Sequence, residues 1–307
     1  MTFVVGLALA VTAAWIYLLA ARARLGGASE FDRIDTQGTP ERWPQVSVII
    51  PARNEAAVLP FTLPSVLSFY YPQADVIVVD DCSEDRTAQT AANIAAADER
   101  ENLRVIQGTA PPEGWRGKLW ALEQGVRASR GEWLLFSDAD VVYSPALLRD
   151  LMRLALNQRY QMASLMVLLR AESFWDRLLI PAFFFFFHLL YPFDQVRKPR
   201  AATAAAAGGC VLVERAALER AGGLAAVREA WIDDVALAQA LKRNGASIYL
   251  GATVQAASFR RYGTLKSIRE MVTRSAFTQL RHSWGLVAAT LVMMGILFGV
   301  PVAGAVA

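Results

Sequence analysis

Residues Val76-Ile77-Val78-Val79 form an unbroken apolar run that stops at Asp80-Asp81. A second run, Trp133-Leu134-Leu135-Phe136, leads through Ser137 into Asp138-Ala139-Asp140. Continuous Val/Ile runs are what strands buried on both faces look like, and such strands belong to parallel sheets covered by helices. Ligands of open α/β sheets bind beyond the carboxyl ends of the strands. Two strands that deliver acids to that edge describe a pocket for a metal-bound, phosphate-bearing ligand. Carboxylates alone would repel a diphosphate, so a divalent cation has to lie between them.

The rest of the chain supports such a sheet. Residues 46–50 read as a strand, 58–69 as a helix interrupted by Pro60 and Pro64, and 76–79 as the second strand. An Ala-rich helix over 87–97, a strand over 103–106, a helix over 118–128 and a strand over 133–136 follow. Strands alternating with helices indicate a doubly wound α/β domain with a mostly parallel sheet. Residues 201–213 return to a strand through Gly208-Gly209.

Hydrophobic residues make up 54% of the chain and charged ones 19%, which is apolar for a soluble enzyme. The surplus is concentrated. Residues 3–21 and 285–307 carry no charge, and each approaches the ~20 residues that span a bilayer. Met1-Thr2 supplies no basic leader, so the first stretch reads as a retained anchor rather than a cleaved signal. Arg22 and Arg24 follow it, which places the next domain in the cytoplasm. Residues 174–193, with five consecutive phenylalanines from Phe183, are expected to form an interfacial helix, a core helix being the alternative. Residues 26–43 read as a linker, and the chain ends inside an apolar stretch, as part of a longer protein would. No basic stripe with interleaved aromatics favours nucleic acid. Cys82 and Cys210 have neither metal spacing nor a disulfide framework.

Side chains two apart in an extended strand share a face, so Asp138 and Asp140 are expected to meet one Mg²⁺ or Mn²⁺, with diphosphate oxygens completing the shell. Asp80 and Asp81 are either turn formers or ligands of a base or ribose. Ser83, Asp85 and Asp81 suit a helix cap. In Gly114-Trp115-Arg116-Gly117-Lys118 a cation opens a helix, where Lys118 meets phosphate or base, or is simply solvated. Asp233-Asp234 precede the amphipathic run 235–241, where an acid caps the helix or accepts a proton. Arg260 and Arg261 either clamp a phosphate or flank the last apolar segment. His188 and His282 have no partners at ligand spacing and are read as structural.

With these residues in place, the chain resembles glycosyltransferase family 2, of GT-A fold. The resemblance rests on Val48-Ile49-Ile50-Pro51-Ala52-Arg53-Asn54-Glu55, the segment from Val78 to Thr87, Asp138-Ala139-Asp140, and Gly208-Gly209-Cys210 with Leu218-Glu219-Arg220-Ala221-Gly222-Gly223. Within the family it is most similar to the hopene-associated glycosyltransferases, through the segment from Gly114 to Leu122, Leu190-Tyr191-Pro192-Phe193, Ala206 to Cys210 and Ile232-Asp233-Asp234. The resemblance covers roughly 46–284. It implies nucleotide-sugar binding at Pro51, Arg53, Glu55, Asp80, Lys118, Asp138, Gly208, Gly209 and Asp233, a metal on Asp138 and Asp140, and inversion with Asp234 as general base. Processive members carry Gln-x-x-Arg-Trp; here Gln279, Arg281 and Trp284 have those types at another spacing, which argues against polymer synthesis.

The expected architecture is an anchor over 1–24, a linker over 25–45, a cytoplasmic GT-A domain over 46–265, a juxtamembrane segment over 266–284 and a transmembrane helix over 285–307. The expected activity is transfer from a nucleotide sugar to a lipid-type acceptor, such as a hopanoid or isoprenoid, at the inner (plasma) membrane. Transfer to a polyprenyl phosphate is the near alternative. A non-catalytic membrane scaffold is disfavoured, because clustered carboxylates without a metal are costly. A nucleotidyltransferase would want a Gly-rich basic loop after the first strand, where only Arg53 stands.

Overall fold

The computed structural model describes residues 2–23, 29–34, 38, 40–98, 101–279 and 283–306. Arg24, much of the expected linker, and Arg281 and His282 lie outside the described residues. Helix α1 (Thr2–Ala23) is followed by β1 (Val46–Ala52), α2 (Leu59–Leu67), β2 (Ala74–Asp80), α3 (Thr87–Ala96) and β3 (Leu103–Gln107). Next come α4 (Gly117–Ala128), β4 (Trp133–Ser137), β5 (Val141–Tyr143), α5 (Leu147–Gln158), β6 (Met162–Leu168), α6 (Phe174–Leu190) and α7 (Phe193–Arg197). The chain then forms β7 (Cys210–Glu214), α8 (Arg215–Arg220), α9 (Asp233–Arg243), β8 (Ile248–Ser258), α10 (Leu265–Gln279) and α11 (Trp284–Val306).

The chain divides into two units. The larger one, 27–172 with 191–262, holds an eight-stranded sheet in the order β3-β2-β1-β4-β7-β6-β8-β5. Strands β3, β2, β1 and β4 are parallel, as are β6 and β8. Strand β7 runs antiparallel to both β4 and β6, and β5 runs antiparallel to β8. The expected parallel sheet is therefore a parallel half joined to a mixed half. The strand expected over 201–213 is confined to β7, and the helix expected over 58–69 runs through Pro64.

The apolar runs are explained by burial on both faces. Val48, Ile50, Val76, Val78 and Leu135 pack with Leu59, Leu63, Leu147 and Leu151 in one core. On the opposite face Ile49 and Val79 meet α4 at Gly125. Pro51 lies beyond the last β1–β4 pair, Ile49 with Phe136, so its missing N–H costs no ladder bond to β4.

The smaller unit comprises Met1–Gly26, Ser173–Leu190 and Gly263–Ala307, so the Phe-rich segment groups with the terminal helices rather than with the sheet. In α11, Trp284–Pro301 is long and apolar enough to cross a membrane by length and composition; in α1 the apolar stretch Gly6–Ala20 is shorter. The two helices meet where Trp15 Nε1 donates to Leu297 O at 3.0 Å and stacks edge-on to Phe298. Helix α6 starts at a reciprocal cap: Ser173 N–H donates to Asp176 Oδ2 at 3.0 Å, and Asp176 N–H donates to Ser173 Oγ at 3.1 Å. Its Phe174, Trp175, Leu178, Phe186 and Leu190 are exposed, while His188 is buried.

The packing of α4 generates a prediction. Gly125→Ala gains ~1 kcal/mol of helix propensity. The new Cβ, however, would lie 2.3 Å from Ile49 Cγ2 and 3.2 Å from Val79 Cγ2. Overpacking of this kind costs ~1–3 kcal/mol, so net destabilisation is expected in denaturant unfolding. A midpoint equal to or above that of the parent would show that α4 does not rest on β1 and β2 in this way.

Candidate active site

Parallel register brings the acids to one edge. Ala52 of β1 is paired with Asp80 of β2, and Asp81 N–H donates to Ala52 O at 2.8 Å. The loops after these two strands are laced together. Asn54 N–H donates to Ser83 Oγ at 3.0 Å, Glu84 N–H to Asn54 Oδ1 at 2.8 Å, and Glu55 N–H to Thr87 Oγ1 at 2.8 Å. Asp85 accepts from both Thr87 N–H and Ala56 N–H, so it caps α3 and holds the first loop at once. Asn54 and Cys82 take up left-handed backbone in these turns, with φ of 57° and 53°.

Asp80 is 2% exposed. Its Oδ2 accepts from Gln107 Nε2 at 2.7 Å, while its Oδ1 is buried without a hydrogen-bond partner. Gly108 is required beside it, since its N–H reaches Asp80 O at 2.9 Å and a Cβ there would lie 2.7 Å from that oxygen. Asp81 is also buried; burial raises its proton affinity against the opposing charge of exposed Arg53, and Asp80 adds to the rise.

Two cations divide the remaining acids. Lys118, in the first turn of α4, lies 2.6 Å from Asp138 Oδ1 and 3.8 Å from Asp233 Oδ2. Burial alone would weaken its hold on its proton, but Asp138 and Asp233 outweigh that and keep it charged. A side chain at Gly208 would meet both Lys118 Nζ and Asp234 Oδ2 at 3.4 Å, so the missing Cβ lets these groups face each other. Asp234 stands in the first turn of α9, and its Oδ1 accepts from Val235 N–H at 2.8 Å. Burial and the neighbouring Asp233 push its carboxyl up to about 7, with Lys118 pulling the other way.

Arg260 serves the second group. Its Nε lies 3.2 Å from Asp140 Oδ2 and its Nη2 3.2 Å from Glu55 Oε1, while Ser258 Oγ donates to Asp140 at 3.1 Å. Burial raises the proton affinity of Glu55, Arg260 opposes it, and Asp140 and Asp138 add to it. Of the alternatives for Arg260 and Arg261, the structure adds a third: Arg260 is a counterion of the acid edge, and Arg261 pairs with Glu172 at 3.5 Å.

The Asp138-Ala139-Asp140 motif differs from its expected form. Strand β4 ends at Ser137 and the motif is a turn into β5, so the shared-face argument for an extended strand does not apply. The turn is fastened by Asp138 N–H to Gly209 O at 3.4 Å and by Tyr143 OH, which bonds Gly209 O and Ser137 Oγ, each at 2.7 Å. Among the described residues no group of three His, Cys, Asp or Glu side chains could hold a metal ion. The chain can therefore offer Asp138 and Asp140, leaving other positions to phosphate and water. That donor set fits Mg²⁺, which is usually held by one or two carboxylates plus substrate phosphates.

The edge thus brings together Glu55, Asp138, Asp140, Lys118, Asp233, Asp234, Gly208 and Arg260, with Gly209 behind the turn. Gln107, Ser258 and Tyr143 are the contributors that sequence reasoning missed. Gln107 ends β3 in register with Asp80, which is the signal that could have found it.

Residues 47–222 match the family described as Glycosyl transferase family 2. The probable glycosyltransferase YdaM of Bacillus subtilis is 37% identical over 99 residues, 32% of this chain and 23% of that protein. Dolichyl-phosphate beta-glucosyltransferase of Homo sapiens is 35% identical over 104 residues, 31% of each. Beta-monoglucosyldiacylglycerol synthase of Nostoc sp. is 34% identical over 99 residues, 32% of this chain and 20% of that protein. The matched segment spans less than a third of each relative. The mannosyltransferase PcManGT from Pyrobaculum calidifontis, solved in complex with GDP-Man and Mn²⁺, superposes with a TM-score of 0.64 at 20% identity. That match covers 99% of this chain and 87% of the other, and it establishes a common fold.

The raised carboxyl of Asp234 has a consequence for stability. The folded state holds a proton there that the unfolded chain releases between about pH 4 and about 7. Stability from this group is therefore present at low pH and lost as pH rises through that window. Asp234→Asn, a neutral isostere, should raise the melting temperature at pH 8 by on the order of a few degrees and leave it unchanged near pH 4. A lower melting temperature at pH 8 would show that the charged form is favoured by its surroundings.

Proposed function

This chain belongs to glycosyltransferase family 2, and we propose that it moves a sugar from a nucleotide-sugar donor to a lipid-type acceptor, with inversion at the anomeric carbon. The observation that carries the proposal is Asp234: a carboxyl with a pKa near 7, at the mouth of the sheet and across Gly208 from Lys118. A general base works best when its pKa lies near the working pH. In this reading Asp234 takes the proton of the acceptor hydroxyl as that oxygen attacks opposite the leaving nucleoside diphosphate.

The other residues hold the donor. The unpartnered Asp80 Oδ1 suits an N–H of the base or a ribose hydroxyl, a hydrogen bond that would remove the cost of a buried bare oxygen. Lys118 lies between the metal-motif acids and the base pair of acids, so it meets negative charge on the leaving group while restraining Asp234. Pro51, Arg53, Glu55, Gly208, Gly209 and Asp233 complete the donor pocket in this reading. Asp140 and Asp138 would hold Mg²⁺ or Mn²⁺, whose contribution when bound is to offset charge gathering on the diphosphate.

A lipid acceptor and a membrane setting are supported by three features. Relatives are named for dolichyl phosphate and for glucosyldiacylglycerol, α11 is long enough to span a bilayer, and α6 exposes aromatic side chains suited to an interface. Nucleotide sugars are made in the cytoplasm, so a plasma-membrane enzyme with a cytoplasmic catalytic unit follows, as Arg22 and Arg24 also argue. A hopanoid or isoprenoid is the acceptor class we favour. The dolichyl-phosphate relatives support a second reading, a polyprenyl-phosphate acceptor. Its phosphate is already ionised and would need no base.

Membranes containing the protein, incubated with a panel of radiolabelled nucleotide sugars and extracted for lipid, test this. Asn keeps a cap but cannot accept the proton. Asp234→Asn should therefore retain donor binding while losing ~10²-fold or more in transfer. The parent's rate should climb with pH up to about 7 and then level. Near-normal turnover in Asp234→Asn would replace the hydroxyl acceptor with the phosphate one. An equal loss in Asp233→Asn would move the base by one residue.

A further inference from the structure

The mechanism leaves unused a stack beside the base. The Arg116 guanidinium lies 3.6 Å from the centroid of the Trp231 ring, and Trp231 is nevertheless 63% exposed. Arg116 stands two residues before Lys118, and Trp231 two before Asp233, and those two charges are 3.8 Å apart. The stack is thus at the solvent rim of the cluster that contains Asp234.

Single exposed apolar side chains are ordinary and need no explanation. This one differs in being pinned. Arg116 N–H donates to Arg228 O at 3.0 Å and its Nε to Glu229 O at 3.5 Å, which fastens the loop before α9 to the loop before α4. The second loop is braced in turn: Trp115 packs edge-on to Trp120, whose Nε1 donates to Thr109 Oγ1 at 3.2 Å. Among the described residues Arg116 makes no ion pair, so its charge is directed to the indole and to backbone carbonyls. An aromatic side chain already immobilised loses little conformational freedom when a ligand covers it, which favours binding.

We propose that Trp231, held by Arg116, is the platform on which the apolar segment adjoining the acceptor's hydroxyl lies, so that this hydroxyl is presented to Asp234. The inference rests on the glycosyltransferase reading above and deepens it by assigning a specificity-determining residue for the acceptor. An aromatic face takes a hydrocarbon next to an alcohol.

The test uses the full chain in membranes, a radiolabelled nucleotide sugar found active in the panel, and added vesicles of total lipid extracted from the source cells. Trp231→Ala should raise the vesicle concentration giving half-maximal transfer roughly tenfold, the scale of one interfacial aromatic anchor. Donor KM and calorimetric affinity for the nucleoside diphosphate should stay at parental values. Trp231→Phe should recover most of the effect, and Arg116→Met should give a smaller rise of the same kind. An unchanged acceptor response in Trp231→Ala overturns the platform. So does an equal loss of donor affinity, which would mark Trp231 as a structural residue of the loop. If the parent releases sugar to water but labels no lipid, the lipid-acceptor reading itself fails, and the platform with it.

Discussion

Crowding of negative charge at one sheet edge is the constraint on which this structure turns. Parallel register sets Asp80 and Asp81 beside the end of β1, and the turn after β4 adds Asp138 and Asp140. The start of α9 contributes Asp233 and Asp234. Like charges at this spacing raise one another's pKa and resist ionising together. The chain answers with two internal cations on different elements, Lys118 for Asp138 and Asp233, and Arg260 for Asp140 and Glu55. Lys118 opposes the rise at Asp234 only in part, and burial with Asp233 pushes that carboxyl up to about 7. The same imbalance that costs stability would supply the proton acceptor proposed at Asp234.

Much of this edge was legible because it depends on local pattern. Val76 to Val79 could only be a strand buried on both faces, so the position of Asp80 followed from its place in the chain. Lys118 after a glycine-bearing loop and Asp233-Asp234 before an amphipathic run marked two helix starts, and both helices begin there. Two of the strands that were not read have evidence that is non-local. Strand β5 has three residues, too few for periodicity, and β8 carries Gly251 and four alanines or serines of weak strand preference. They exist through pairing with each other, and β8 also through pairing with β6. Missing β8 also hid the role of Arg260, because only that strand brings the arginine to Asp140, 120 residues away in sequence. Helix α5 is different: Leu147, Leu148, Leu151, Met152 and Ala155 have helical spacing that was there to be read.

Function and placement meet in how the sequence spends its apolar residues. The larger unit uses them as core between sheet and helices, whereas α11 and α6 leave many of them exposed. An enzyme that takes a water-soluble donor and a lipid acceptor needs both kinds of surface. The acid edge would repel an anionic donor unless its charge is met, and Lys118, Arg260 and the proposed cation on Asp140 are the groups able to meet it.

Calorimetric titration of nucleoside diphosphate into the protein, with and without Mn²⁺, tests that central claim most directly. Binding should depend on the metal and weaken at least tenfold in Asp140→Asn, with a smaller loss in Asp138→Asn, whose partner Lys118 remains to hold phosphate. Binding of undiminished strength in Asp140→Asn, insensitive to a chelator, would contradict it.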